Sequence, residues 1–174
     1  MVIQDAGKLN GMATPQDGHK EEGVRRVSLS KQIKHDETMQ QFHFYSLPKV
    51  LPEGHVLVLN IHPYTMSTFI LTQLSAEAYG LVAQEVLTEL EMYALVALLE
   101  AYPHYSPYEV LRAAITDEVV SNARITVHRA VEHKTLNHSM KSVRNILSRC
   151  RAKLKIFGID IRSIHAEGYI LTAL

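Results

Sequence analysis

Residues 139–174 read SMKSVRNILSRCRAKLKIFGIDIRSIHAEGYILTAL, and this stretch decides the fold that the sequence predicts. Four apolar residues in it recur at positions i, i+4, i+7 and i+11, namely Val143, Leu147, Cys150 and Leu154. That spacing places all four on one side of an α-helix, as a continuous stripe that faces a core. We therefore predict an amphipathic helix over residues 139–155.

The opposite side of this helix is polar and basic. Its residues are Lys141, Arg144, Asn145, Ser148, Arg149 and Arg151. At about 1.5 Å per residue the helix is about 25 Å long, which suits a DNA major groove about 12 Å wide. An arginine fork can read guanine O6 and N7, and an asparagine can pair with adenine. This side of the helix therefore predicts contact with duplex DNA.

A hairpin is expected after the helix. Gly158 accepts the left-handed backbone conformation that commonly ends a helix. The following residues predict a strand over 159–164, a turn at His-Ala-Glu-Gly and a returning strand over 169–171.

A helix with a clear start signal lies well before this region. Thr88 followed by Glu91 is the pattern of a capping box. Leu87 and Met92 stand at the two positions of a hydrophobic staple. We therefore predict a helix that starts at Thr88 and ends before Pro103, with an apolar side of Met92, Leu95, Val96 and Leu99.

The same start signal recurs after Pro103 and predicts a second helix. Ser106 is expected as its N-cap, with Pro107 at the first helical position and Glu109 three residues after the cap. The two helices and their short connection would form a helical corner.

A third helix is expected near residues 117–133, before the basic helix. Its apolar side would be formed by Val119, Ala123, Val127 and either Ala130 or Val131. A break at Asn137 and Ser139 would then separate it from the basic helix.

The N-terminal part divides into a tail and a small sheet. Residues 1–41 are polar and show no apolar period, which predicts a disordered or weakly ordered tail. The segments FHFYSL and HVLVLNIH, which begin at residues 42 and 55, predict short strands. The second half of STFILTQLSAEAYGLVAQEV is compatible with either strand or helix.

Composition limits the class of protein. The chain has 174 residues, zero formal net charge and one cysteine, so a disulfide framework and a cysteine-based zinc site are excluded. The charge is uneven, because residues 71–123 contain eight acidic residues and one basic, whereas residues 124–174 contain ten basic and three acidic. No apolar run approaches the roughly 18 residues of a membrane span, and no secretory signal is present. We expect a cytoplasmic protein with no membrane partner.

The order of these elements is that of a winged helix-turn-helix. The chain resembles the OmpR/PhoB-type DNA-binding domains of bacterial response regulators at four places between residues 87 and 171. These are Leu87-Thr88 with Glu91, SPYEVL, V…LSRCRAKL, and IRSIHAEGYIL. The resemblance implies an α+β fold over residues 42–174: a winged helix-turn-helix with a small N-terminal antiparallel sheet at about 42–86 and a C-terminal β-hairpin wing.

The resemblance also implies roles for individual residues. In the family, the residue matching Arg149 reaches base edges, and those matching Ser148 and Arg151 hold phosphates. The helix side at Arg144 and Asn145 lines the groove. The expected DNA-binding residues are Lys141, Arg144, Asn145, Ser148, Arg149 and Arg151 on the helix, with Ser163 and His165 in the wing.

The chain departs from the family pattern in three respects. His165 stands where the family usually has Arg, and Ala166-Glu167-Gly168 where it has Gly-x-Gly. The connection before the basic helix, which includes residues 116–137, is longer than the family's. In the family this connection often meets RNA polymerase, so that contact cannot be carried over to this chain. A receiver domain needs on the order of a hundred residues, so the polar tail cannot be one. We therefore expect a repressor without a phosphorylation switch, acting as a homodimer on repeated DNA sites.

The sequence also permits a function other than DNA binding. The alternative function is a protein-interaction winged-helix module, an anti-regulator that binds another regulatory protein through the acidic surface of residues 71–123. His128, His133 and His138 recur every five residues, about 140° apart around a helix, so they cannot converge on a metal ion. No catalytic motif and no cofactor motif is present. The sequence thus predicts neither an enzyme nor a metal or cofactor site, and Cys150 is expected to be a buried structural thiol.

Overall fold

The computed structural model of the chain describes residues 42–71 and 79–174. The predicted polar tail at residues 1–41 lies outside the described residues. The described part has an α+β fold with a four-stranded antiparallel sheet, five α-helices and a three-stranded antiparallel sheet. None of its helices combines the length and the apolar character that a bilayer span requires.

The N-terminal sheet is an antiparallel meander in the order β1-β2-β3-β4. Its strands are β1 (Phe42–Tyr45), β2 (His55–Asn60), β3 (Thr65–Leu71) and β4 (Tyr79–Val86). The two predicted strands are confirmed, and the described part of the uncommitted half of the third segment forms β4. A bulge interrupts the pairing of β3 with β4 between Thr68 and Phe69.

Helix α1 (Glu89–Ala101) begins where the capping box predicted. The Thr88 hydroxyl accepts a hydrogen bond from the Glu91 amide, and the Glu91 carboxylate accepts one from the Thr88 amide at 2.8 Å. Both staple residues, Leu87 and Met92, are buried. On the predicted apolar side Val96 is only partly buried, whereas Ala94 and Leu98 are buried.

The predicted start of the second helix is wrong by one residue. Ser106–Pro107 forms a two-residue strand, β5, and α2 covers Tyr108–Thr116. The Ser106 side chain forms no cap because β5 pairs with the C-terminal strand, with Ser106 opposite Tyr169. Pro107 is the extended N-cap residue rather than the first helical residue.

The connection between α2 and the basic helix contains α3 (Val120–Glu132) and α4 (Leu136–Ser139). Helix α3 confirms the predicted third helix, and Ala130 rather than Val131 is its buried member. The expectation for Val119 is wrong, because it is the N-cap residue and 67% exposed. The predicted break at Asn137 and Ser139 is also wrong, because the Met140 amide donates to the Leu136 carbonyl and closes a helical turn there.

The C-terminal stretch folds as its sequence predicted. Helix α5 covers Lys141–Leu154, and a single 3₁₀ turn at Lys155–Phe157 leads to Gly158 at φ +72°. Strands β6 (Ile159–Ile164) and β7 (Gly168–Ala173) then form the terminal hairpin. Strand β5 adds to its β7 edge and gives the order β5-β7-β6.

One hydrophobic core joins the first sheet, the helices and the terminal hairpin. Helix α1 contacts α2, α5, β5 and β7. Leu57, Leu59 and Met66 close the core from the first sheet, and Ile159, Ile161 and Leu171 close it from the hairpin. The chain thus holds α5 between α1 and the hairpin.

Gly168 is required because β5 passes directly over it. A Cβ at this position would overlap the main-chain carbonyl of Ser106, which cannot rotate away. We expect Gly168→Ala to lower the free energy of unfolding by about 2 kcal/mol, as overpacking commonly does. Urea unfolding followed by circular dichroism measures this change.

Gly80→Ala is the matched control, because a Cβ at Gly80 would meet no atom of the described residues within 4 Å. Its effect should stay within about 0.5 kcal/mol. Equal losses in the two variants would contradict the close approach of β5 to Gly168.

Candidate nucleic-acid interface

Helix α5 is held by its apolar side. The residues Val143, Ile146, Leu147, Cys150 and Leu154 are all buried, so the predicted stripe is confirmed and widened by Ile146. The helix carries five basic residues and no acidic residue, since its sequence is KSVRNILSRCRAKL. The charged side chains that α5 exposes to solvent are therefore all positive.

The side of α5 away from the core is open. We call the exposed residues Lys141, Ser142, Asn145, Ser148 and Arg149 the α5 polar face. Four of them, together with the edge of Ile146, line a shallow depression. Three residues of the face can donate hydrogen bonds from a cationic or amide group, and none carries a negative charge. The face thus has the chemistry of a surface that binds an anion-rich polymer.

Glu91 is a buried carboxylate that joins the start of α1 to α5. Its side chain is 2% exposed, with Lys153 Nζ 2.7 Å from Oε2 and Arg149 Nε 3.4 Å from Oε1. Burial alone would raise the pKa of Glu91, but the Lys153 hydrogen bond and the Thr88 amide outweigh it and hold the pKa below its usual value. The carboxylate is therefore ionised at neutral pH and anchors two cations of α5.

Arg149 pairs with Glu91 and is still accessible to solvent. Its Nε faces Glu91, while the side chain remains 59% exposed. An arginine held through Nε keeps its terminal nitrogens available for a planar, bidentate contact. Fixing the side chain beforehand lowers the conformational entropy lost when it binds.

Arg144 and Arg151 are engaged within the chain. Burial raises the pKa of the Tyr108 phenol overall, although Arg144 lies next to it and its positive charge lowers that pKa. Arg151 pairs with Asp160 at 3.2 Å and donates to the main-chain carbonyl of Ile161. The structure thus separates these two arginines from the α5 polar face, although Arg151 keeps 43% of its side chain exposed.

The terminal hairpin brings Ser163 and His165 to the surface. Both are exposed, and Ala166 at the tip has a positive φ of 59°. Glu167 is exposed beside them, so the tip carries a negative charge next to the imidazole. The hairpin tip is therefore less suited to a phosphate than the α5 polar face is.

A groove between α5 and β6 adds two cations that the sequence interpretation missed. It is lined by Arg151, Lys155, Asp160, Arg162, Ser163 and Leu174. Asp160 pairs with both Arg151 and Arg162, and the Arg162 side chain is still 63% exposed. The signal for Arg162 was the alternation of β6, where buried Ile159 and Ile161 direct residue 162 outward.

No group of three or more potential metal-ligating side chains converges among the described residues. His128 instead faces Glu132 one turn along α3, at 3.3 Å. Cys150 is buried as expected, and its Sγ lies 3.6 Å from the Glu91 carbonyl oxygen. Burial, followed by the nearby Glu91 charge, raises the pKa of the Cys150 thiol to about 12.

Comparisons with protein-family models, with curated proteins and with solved structures found no match for this chain. The functional interpretation therefore depends on the geometry of α5 and its surroundings.

Removing the Glu91 charge tests its role as an anchor. At neutral pH we expect Glu91→Gln to lower the free energy of unfolding by about 2 kcal/mol, because hydrogen bonds to a charged partner are lost. The folded pKa is lowered, so this contribution is present above the unfolded pKa of about 4.3 and is lost as the pH falls through the folded value. Urea unfolding from pH 7 to acid should therefore show the two proteins converging in stability.

Glu109→Gln is the control for this measurement. Glu109 pairs with Arg124, whose side chain is 68% exposed, so its loss should cost no more than about 1 kcal/mol. A Glu91→Gln variant as stable as the control at pH 7, or a difference that grows in acid, would contradict the anchor.

The Cys150 thiol should be inert in the native protein. A thiol with a pKa of about 12 is almost fully protonated at pH 8, and the thiolate is the reactive form. The chain has one cysteine, so the chromophore released by an aromatic disulfide reagent reports on Cys150 alone. We expect this release only when the protein is denatured. Rapid release from the native protein at pH 8 would refute this assignment.

Proposed function

We propose that the chain is an OmpR/PhoB-like winged helix-turn-helix protein that binds double-stranded DNA in a sequence-specific way. The order of α1, β5, α2, α5 and the hairpin β6-β7 supports this proposal, with β5 as the third strand of the hairpin sheet. The observation that carries it is α5, whose apolar side is buried and whose open side bears cations without any acid. In this proposal α5 enters the major groove and the hairpin is the wing.

The α5 polar face provides the specific contacts in this proposal. Arg149 reads a guanine with its free fork, and Asn145 pairs with a neighbouring base. Lys141 and Ser148 contact phosphates and fix the register of the helix in the groove. Arg149 is thus the residue on which sequence discrimination depends most.

The engaged cations have supporting roles. Arg151 positions β6 against α5 through Asp160 and the Ile161 carbonyl, and its exposed part can still meet a phosphate. Arg144 lines the side of the helix next to Tyr108. In this proposal, the wing residues Arg162, Ser163 and His165 contact the sugar-phosphate backbone of the DNA. They do not enter a narrow minor groove.

A DNA-binding protein of this kind acts in the cytoplasm as a transcriptional regulator. We propose repression, because a protein that covers its operator needs no further activity to block transcription.

The alternative, an anti-regulator that docks through acidic residues 71–123, is less well supported. Glu91 is buried against α5, Glu109 pairs with Arg124, and Glu118 pairs with Arg112. Glu89 and Glu100 accept hydrogen bonds from Tyr93 and Tyr45. Three of these carboxylates are therefore paired with cations of the chain itself, and two more accept hydrogen bonds from tyrosines.

Selection of bound duplexes from a random pool, followed by mobility-shift titration, tests the proposal. We expect the wild-type chain to retain a preferred site, with affinity that falls linearly in a log-log plot against salt. Arg149→Ala should reduce discrimination at one base position by about 1 to 3 kcal/mol, because a bidentate base contact is lost.

Arg129→Ala, an exposed arginine on α3, is the matched control and should leave both affinity and discrimination unchanged. The proposal fails if no duplex is retained at low salt. The assignment of Arg149 fails if its variant selects the same site with the same preference as the control.

A further inference from the structure

The side of the first sheet that faces away from the core is unusual. Core membership identifies the inner side, since Tyr45, Leu57, Leu59 and Met66 belong to the hydrophobic core. Side chains alternate along a strand, so the residues between these point to the opposite side. We call that opposite side the outer sheet face.

The strand register orders the outer sheet face into three rows. The first is Phe42, Asn60, Thr65 and Val86, the second is Phe44, Val58, Ser67 and Gln84, and the third is Val56, Phe69 and Leu81. None of these described residues is charged, although 21% of the whole chain is charged. A solvated face of an antiparallel sheet is normally polar, so this face is not built for water.

Aromatic and aliphatic side chains dominate the face. Three of the four phenylalanines in the chain lie on it, at positions 42, 44 and 69. Phe42 is 47% exposed, Leu81 is 55% exposed and Val86 is 61% exposed. The exposed apolar residues lie on the two edge strands, whereas Val58 and Ser67 in the middle of the face are only 6% and 9% exposed. Apolar surface exposed on one side of a sheet marks an interaction surface, and aromatic enrichment with depletion of charge is typical of an interface core.

We propose that the outer sheet face binds the same face of a second copy of this chain and forms a two-fold symmetric dimer. Two sheets pack face to face about 10 Å apart, with interdigitated side chains from both. The three phenylalanines of each copy fill the space between the sheets, and the polar residues Asn60, Thr65 and Gln84 lie around them.

The absence of charge favours a second copy as the occupant. In a two-fold interface the same patch meets itself, so any charge near the axis would meet its own image. The outer sheet face avoids this repulsion entirely. Complementary charge is a common means of selecting a partner of different sequence, and the described residues of this face offer none.

The size of the face is sufficient for a dimer that dissociates on dilution. Four strands about 4.8 Å apart and three rows about 7 Å apart cover roughly 20 by 20 Å. With side-chain relief, two such faces bury on the order of 1,000 Å², which is the lower bound for a specific interface.

The dimer would leave the α5 polar face uncovered, because no residue of α5 belongs to the outer sheet face. Self-association is therefore independent of the proposed DNA binding and is tested without DNA.

Sedimentation of the full chain over a wide range of protein concentration tests the dimer. The wild-type protein should shift from monomer to dimer as its concentration rises. Leu81→Lys and Phe42→Lys each add one positive charge to the outer sheet face of each copy. The dimer would therefore contain two such charges in its interface. Each should raise the dimer dissociation constant at least about tenfold, because buried charges of like sign repel.

Val131→Lys is the matched control, since Val131 is 47% exposed on α3 and lies outside the face. It should leave the dissociation constant unchanged, and thermal unfolding should show that all three variants are folded. A wild-type chain that stays monomeric at every concentration would overturn the proposal, whichever other protein the face then binds. A dimer that tolerates both face variants would overturn it as well.

Discussion

The buried carboxylate of Glu91 is the interaction on which the arrangement of this molecule depends. It belongs to the capping box that starts α1, and it also pairs with Lys153 and Arg149 of α5. A carboxylate taken out of water must be compensated by charge or hydrogen bonds, so the pairs with Lys153 and Arg149 favour the observed orientation of α5 against α1. That orientation buries the stripe of α5 and turns the α5 polar face outward. Glu91 thus links the capping of α1 to the placement of α5, which its buried apolar side also holds.

The same interaction divides the cations of α5 by role. Lys153 donates hydrogen bonds to the Glu91 carboxylate and to the Val86 carbonyl. Arg151 pairs with Asp160 of the hairpin. Arg149 also pairs with Glu91, but its side chain stays exposed. Lys141 is exposed at the first position of α5. Counting basic residues therefore overstates the charge that a partner would meet. What the fold offers is a narrower surface, pre-positioned on a rigid helix, which favours a specific over a purely electrostatic contact.

Several elements whose ends or faces are set by neighbouring residues were predicted correctly from the sequence. The Thr88 capping box, the stripe of α5, Gly158 and the terminal hairpin are all present in the structure. The errors at Val119, Asn137 and Ser139 concern the ends of helices, which local patterns locate poorly. The other differences arise because long-range pairing prevailed over local preference. Ser106 has the residue type of a cap but is drawn into β5 by Tyr169, and the ion pairs of Arg149 and Arg151 join residues far apart in the chain or across a turn. No spacing rule in a single sequence reports such partners.

The central claim is that the α5 polar face, held by Glu91, is the surface that meets duplex DNA. Backbone amide chemical shifts of the isotopically labelled chain, recorded during titration with its selected duplex, test this claim most directly. We predict that the largest changes fall on residues 141–149 of α5, with smaller ones at Arg162 and Ser163. Changes confined to the acidic residues of α1 and α2, or to the outer sheet face, with α5 unaffected, would contradict the account.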